Sequence, residues 1–265
     1  MAKRVDTSKN YQASPRASKF DRLNRPSGSS KKGGGFRNVM RFLGKSLLYV
    51  WISTVVAIVL LKFIPVYFTP TMASRKIDAL LAGEPSKIHS QWTPYKEIDR
   101  NCALAVIASE DQVFPDHMGF DFKSMWQAVN NNMKGKRIKG ASTISQQVAK
   151  NVFLWQDRSY LRKGLEVYFT LMIELVWGKK RILEVYLNVA ETGKMTFGME
   201  EACRRFYNHS ASEVSTTEAA RIAACLPNPI RFSVANPSGY IIKRTQAIKR
   251  QMSGLGGKKY LYKID

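Results

Sequence analysis

Read for its apolar and polar positions, the chain changes character twice. Residues 1–45 are polar and basic, with stretches such as RPSGSSKKGGGFRN. They offer nothing from which to build a core and predict a disordered basic tail. The run SLLYVWISTVVAIVLL, residues 46–61, then carries no charge, and Lys62 and FIPVYF follow it. A helix from Leu47 to Phe68 would span about 33 Å, close to the ~30 Å hydrocarbon core of a bilayer. Lys62 would lie near one end, where its ammonium can snorkel to the headgroups. The pattern predicts a single transmembrane helix over 46–68. A cleaved signal peptide fits less well, because the leader ahead of the apolar run is long.

Beyond it, residues 69–97 read as a juxtamembrane connector and residues 98–265 as the main domain. There the apolar positions recur at helical spacing. EIDRNCALAVIASE holds an apolar run of helical length, and FDFKSMWQAVNNNM follows a capping Asp121. STISQQVAKNVF starts at Ser142. Ser159 can cap YLRKGLEVYFTLMIELVW, which Gly178 closes. KRILEVYLNVA, MEEACRRFYN, TTEAARIAACL and SGYIIKRTQAIKRQM complete the set. No strand–turn–strand alternation stands out and no internal repeat is present. The expectation is a mostly α domain without a sheet, tethered to a membrane.

Charge adds an orientation. Lys and Arg total 42 against 20 Asp and Glu, a formal net charge of +22 over 265 residues, which implies an anionic partner. Residues 26–45 hold five Lys or Arg, and residues 69–88 hold three, with Asp78 and Glu84 among them. The bias predicts a cytoplasmic N-terminus with the bulk of the chain outside, where nucleic acid is not an available partner. Cys102, Cys203 and Cys225 are too scattered for a disulfide framework or a zinc site, and each reads as a small buried hydrophobe.

Four stretches could carry chemistry. In ASEDQVFPDH, Glu110 and Asp111 follow the apolar helix directly. A carboxylate partly desolvated at a helix end can act as an acid or base, although a solvated helix end has the same spacing. Phe114 and His117 follow, and a lone histidine is more often a structural hydrogen-bonder. In GASTISQQVAKN, Ser142 and Thr143 stand at a helix N-terminus, which suits an anion. Gln147 and Lys150 lie on the same face as Thr143, with Asn151 next to Lys150. An ordinary capped helix with a polar surface explains this equally well. In RSYLRKGLE, Arg158, Arg162 and Glu166 form one helical stripe with Lys163 beside it. That stripe is either an exposed ion-pair ladder or a second carboxylate between two phosphate-gripping guanidiniums. In GKKRILEVYLN, Glu184 follows a basic run and can simply pair with Lys180.

Taken in order, these stretches resemble the peptidoglycan glycosyltransferases of glycosyltransferase family 51. The resemblance covers about residues 98–230. It rests on E-D-x-x-F-x-x-H-x-G from Glu110 to Gly119, G-x-S-T-I-x-Q-Q from Gly140 to Gln147, R-K-x-x-E from Arg162 to Glu166, and K-x-x-I-L-E-x-Y-L-N from Lys179 to Asn188. Ala141 and Ser145 are small, conservative departures from the family's usual Gly and Thr. The resemblance implies a lysozyme-like helical glycosyltransferase domain and, as substrate, lipid II together with the growing glycan chain. It implies catalytic roles for Glu110 and Glu166. Substrate contacts fall to Asp111, Phe114, His117, Ser142, Thr143, Gln147, Lys150, Asn151, Arg158, Arg162, Lys163 and Glu184.

Glu110 would be the general base, and the cations would neutralise the diphosphate leaving group. No cofactor is called for by the sequence, and a divalent cation, Mg or Mn, is compatible with the diphosphate. Bifunctional relatives carry a penicillin-binding transpeptidase domain. Here the only S-x-x-K runs from Ser29 to Lys32 and no K-T-G exists, which points to the monofunctional branch in a bacterial inner membrane, working with other cell-wall synthesis or division proteins. Two other readings stand beside it. A lysozyme-like lytic enzyme has no need of the basic stripe around Arg162, and a non-catalytic membrane scaffold has no need of four intact motifs.

Overall fold

The computed structural model describes residues 34–133, 142–157 and 159–264. The N-terminal tail up to residue 33, Gly140, Ala141 and Arg158 therefore lie outside the described residues. The chain divides into two compact units, Met1–Trp51 and Ile52–Asp265. In the first, the described residues are helical with exposed apolar side chains, among them Leu47, Tyr49 and Val50. The helix that contains them, α1, runs Gly34–Phe63. It takes in residues 34–45, which the composition assigns to the tail, and it stops short of Phe68. Pro65 explains the stop, since the residue before a proline is pushed out of the α region. Arg37–Phe63 is long and apolar enough to cross a bilayer, and only 6% of its most apolar window is buried.

The second unit includes the last turns of α1. Ile58 is fully buried, Trp177 Nε1 donates to Ile58 O at 2.7 Å, and Thr54 Oγ1 meets Tyr168 Oη at 2.9 Å. A helix C-terminus leaves its final carbonyls without partners. Arg181 answers two of them, donating to Leu61 O at 2.8 Å and to Ile64 O at 2.5 Å.

Nine further helices follow among the described residues. They are α2 Pro70–Leu81, α3 Arg100–Glu110, α4 Phe122–Met133, α5 Ile144–Phe153, α6 Tyr160–Val176, α7 Gly178–Val189, α8 Met199–Tyr207, α9 Thr216–Cys225 and α10 Gly239–Gly254. A 3₁₀ helix, Gly257–Lys263, ends the fold. The stretch expected to be a connector thus contains α2, capped by Thr69 with Pro70 at its first position.

Three short strands contradict the expectation of no sheet. They are β1 His89–Ser90, β2 Glu191–Gly193 and β3 Thr196–Phe197, in the order β1-β3-β2. β1 lies parallel to β3, and β2 antiparallel to it. Two or three residues cannot display a period-two pattern. They still fix the turn that leads into α8, where Gly198 has φ +86° and a Cβ would sit 2.8 Å from Asn188 O.

α3 is the spine of the domain. Cys102 through Ala108 are seven consecutive buried residues, so the helix is covered on all sides. It packs chiefly against α9 and α10, with the 3₁₀ helix and α7 completing its surroundings. All three cysteines are buried and free. Cys225, on α9, has its thiol pushed up to about 11 by burial.

Candidate active site

Glu110 is the last residue of α3, so its side chain leaves the core where the helix ends, with 13% of it exposed. Each carboxylate oxygen has its own partners. Gln147 Nε2, from the first turns of α5, donates to Oε2 at 3.1 Å. Tyr186 Oη, on α7, donates to Gln147 Oε1 at 3.1 Å, which fixes the amide's orientation. Tyr186 itself is fully buried, and burial, with Glu110 and Asp111 nearby, pushes its phenol well up and keeps it a donor. On the other side Ser109 Oγ lies 3.0 Å from Oε1 and Arg244 Nη2 lies 3.7 Å from it.

The rest of the first motif faces inward. Asp111 is buried, accepts the Ile144 backbone N–H at 3.0 Å on Oδ2, and meets His117 Nε2 at 3.0 Å through both oxygens. Gly119 N–H donates to His117 Nδ1 at 3.1 Å, so the ring proton sits on Nε2 and points at Asp111. Thr143 Oγ1 donates to Gly119 O at 2.6 Å. Asp111, His117, Gly119 and Thr143 thus form one knot that ties the end of α3 to the start of α5. Phe114 is fully buried below it, with Lys179 Nζ 4.5 Å from its ring centroid.

α5 starts one residue later than Ser142 would place it. Thr143 is the N-cap, because Gln146 three residues on completes a capping box with it. Ser142 is exposed outside the helix. Lys150 is three residues beyond Gln147 on the same helix, so α5 carries the site from Glu110 to a second carboxylate. Lys150 is pushed below the ordinary lysine range by burial, opposed by Glu166 and reinforced by Arg162, Arg75 and Lys163.

Glu166 is buried on α6. It takes a 2.7 Å bond from Arg162 Nη1, and the Lys163 ammonium is on its other oxygen. Among the described residues Arg162 Nε is buried without a hydrogen-bond partner. Asn151, next on α5, accepts from Thr71 Oγ1 at 3.3 Å and so ties α2 to this end of the site.

Glu184 has partners of its own. It accepts from the Tyr95 backbone N–H at 2.9 Å and from Arg181 Nη1 at 2.6 Å. With Asn188, which bonds Thr93 N and O at 2.7 and 2.9 Å, it pins the segment before α3 to α7. Glu174, absent from the sequence expectations, is buried between Ser145 and Lys179, whose ammonium is 2.7 Å away. Arg75 and Arg244 are likewise absent from them. Arg75, on α2, is 2.8 Å from the half-buried Glu191, and Arg244 lies on α10. Neither belongs to a recognisable local pattern, because the partner of each is more than a hundred positions away.

Among the described residues no three His, Cys, Asp or Glu side chains converge on one point. Glu166 is already held by two cations. No three-residue ligand set for a divalent ion is therefore present among the described residues. Two surface cavities of about 450 and 310 Å³ lie around Tyr95, Asp99 and Trp92, at the N-terminal end of α3, and hold none of the predicted site residues.

The family model described as Transglycosylase matches residues 76–253. A biosynthetic peptidoglycan transglycosylase of Chromohalobacter salexigens is 47% identical over 228 residues, covering 86% of this chain and 97% of the relative. Proteins of the same description from Yersinia pseudotuberculosis and Yersinia pestis are each 52% identical over 217 residues, covering 81% of this chain and 89% of each relative. The matched region holds every candidate residue from Glu110 to Glu184, and the chain belongs to the transglycosylase family.

Proposed function

We propose that this chain is a peptidoglycan polymerase that lengthens glycan strands from lipid II. The observation that carries the reading is the pairing of two unlike carboxylates along α5. Glu110 is held by neutral donors at one end, and Glu166 sits among Lys150, Arg162 and Lys163 at the other.

In this reading Glu110 takes the proton from the 4-hydroxyl of the acceptor sugar. The oxygen attacks the donor's anomeric carbon, and the bond from that carbon to the diphosphate breaks. A β-1,4 bond forms with inversion, and undecaprenyl diphosphate leaves. Diphosphate is already a good leaving group, so its developing charge needs cations more than a proton. Lys150, Arg162, Lys163 and Arg158 supply them, and Glu166 keeps the Arg162–Lys163 pair in place. The fork geometry of Arg162 suits a phosphate oxygen pair. No transpeptidation accompanies the reaction. The helix Arg37–Phe63 fits a single-pass anchor, and the basic flank on its N-terminal side supports a cytoplasmic N-terminus with the catalytic domain on the outer face of a bacterial inner membrane.

The decisive experiment gives purified full-length protein lipid II in detergent or vesicles and resolves products by length. Uncrosslinked strands that grow with time are expected. Shortening of added glycan would identify a lytic enzyme instead, and covalent labelling by a fluorescent penicillin would refute the absence of transpeptidation. For topology, a periplasm-dependent reporter fused after Asp265 should be active, and activity of a cytoplasm-only reporter at that position would reverse the orientation.

A further inference from the structure

Arg244 lies outside every motif that the sequence analysis singled out, yet α10 brings it to the base. Its Nη2 donates to Ser109 Oγ at 3.2 Å and sits 3.7 Å from Glu110 Oε1, while its Nε is buried without a hydrogen-bond partner among the described residues. Ser109 Oγ is 3.0 Å from Glu110 Oε1 and 3.2 Å from Ala223 O on α9. A hydroxyl has one proton to give. With Arg244 donating into a lone pair of the oxygen, that proton is free to choose between two acceptors, and an ionised carboxylate is the stronger one. Gln147 holds the opposite oxygen, Oε2.

We propose that Arg244 is a positioning residue for Glu110, acting through the Ser109 hydroxyl to lock one carboxylate oxygen so that the other is presented to the acceptor's 4-hydroxyl. The proposal rests on Glu110 being the base. When Glu110 takes up the acceptor proton it becomes a weaker acceptor, and the Ser109 proton can turn to Ala223 O without any other group moving. A carboxylate held at one oxygen only by Gln147 would swing about its side-chain bonds, and misplacement of a reacting group by about 1 Å can cost on the order of 10²-fold.

Because the effect runs through Ser109, it is testable by a double-mutant cycle in the lipid II polymerisation assay. Arg244→Gln should lower kcat roughly 10- to 100-fold with KM unchanged. Ser109→Ala should lower kcat at least as much, and the double variant should be no slower than Ser109→Ala alone. Arg244→Lys should fold with a wild-type Tm and recover part of kcat, and it replaces Arg244→Gln in the cycle if that variant is unfolded. Multiplicative losses in the double variant, or a raised KM with kcat intact, would overturn the proposal. Glu110→Gln is the control. If it keeps wild-type turnover the base reading fails, whereas an inactive Glu110→Gln beside a fully active Arg244→Gln refutes only the role given to Arg244.

Discussion

The two carboxylates beside α5, Glu110 at Gln147 and Glu166 near Lys150, are set in opposite electrostatic surroundings. Glu110 accepts from an amide and a hydroxyl, with its nearest cation at 3.7 Å. Glu166 is in direct contact with both Arg162 and Lys163, and Lys150 is close by. A carboxylate hydrogen-bonded by neutral donors keeps lone pairs with which to take a proton. One clamped between cations is committed as their counter-ion, and its usefulness lies in where it holds them. The sequence offers two glutamates, and under the proposed function these surroundings suit one to serve as a base and the other as an anchor.

Replacing each carboxylate by its isosteric amide tests that division. Glu110→Gln should melt near the wild-type temperature yet lose about 10²–10⁴-fold in turnover, the usual worth of a general base. Glu166→Gln should lose turnover and also melt lower, since it leaves Arg162, whose side chain is only 13% exposed, without its counter-charge. Matched melting temperatures for the two variants would erase the distinction. The cations come next. Lys150→Ala and Arg162→Ala should each slow polymerisation roughly 10²-fold, a few kcal/mol of lost charge stabilisation. Arg162→Lys should recover only part, because a point charge does not reproduce a planar fork. Full recovery would reduce Arg162 to a simple charge.

The same contrast separates what local sequence encodes from what only packing supplies. The helical domain, the caps at Asp121 and Ser159, and the apolar helix ahead of the domain are all legible in the sequence, because each depends on neighbours within one or two turns. The contacts that set the character of Glu110 are not. Ser109 is adjacent, but Gln147, Tyr186 and Arg244 arrive from α5, α7 and α10, which only tertiary packing brings together. Asp111, His117 and Thr143 show the converse. The family resemblance implies that they contact substrate, whereas the structure shows bonds that no sequence pattern displays: Asp111 and His117 bond each other, and the three bond the backbone of Gly119, Ile144 and Gln146.

That knot gives a structural prediction smaller than the catalytic ones. Gly119 has φ +83°, and a Cβ there would lie 2.7 Å from Thr170 Cγ2. Thr170 is fully buried and its hydroxyl is bound to Glu166 O at 2.7 Å, so it has little room to yield. Gly119→Ala should cost about 1–3 kcal/mol through overpacking, read as a lowered Tm. Turnover per folded molecule should fall as well, since the same contact touches the backbone that carries Glu166. A wild-type Tm would show that the loop relaxes freely.

The smallest expected effect concerns pH and again separates the surroundings of Glu166 from those of Glu110. Lys150 is lowered from the ordinary lysine value, chiefly by burial, so in the folded protein it loses its proton at a pH where an unfolded chain still holds it. Between those two values the unfolded state binds more protons, and linkage then makes folding more favourable as pH rises. Activity should move the other way, because a neutral Lys150 no longer attracts diphosphate. Comparison with variants removes the contribution of other titrating groups. Below the ordinary lysine value of about 10.4, the Tm of the wild type relative to Lys150→Gln should climb with pH while wild-type turnover declines a few-fold. Lys150→Arg, whose guanidinium does not titrate there, should hold its rate across the same range. Parallel loss of turnover in wild type and Lys150→Arg would assign the alkaline limb to another group, and a Tm difference that is flat with pH would show that Lys150 keeps its proton throughout.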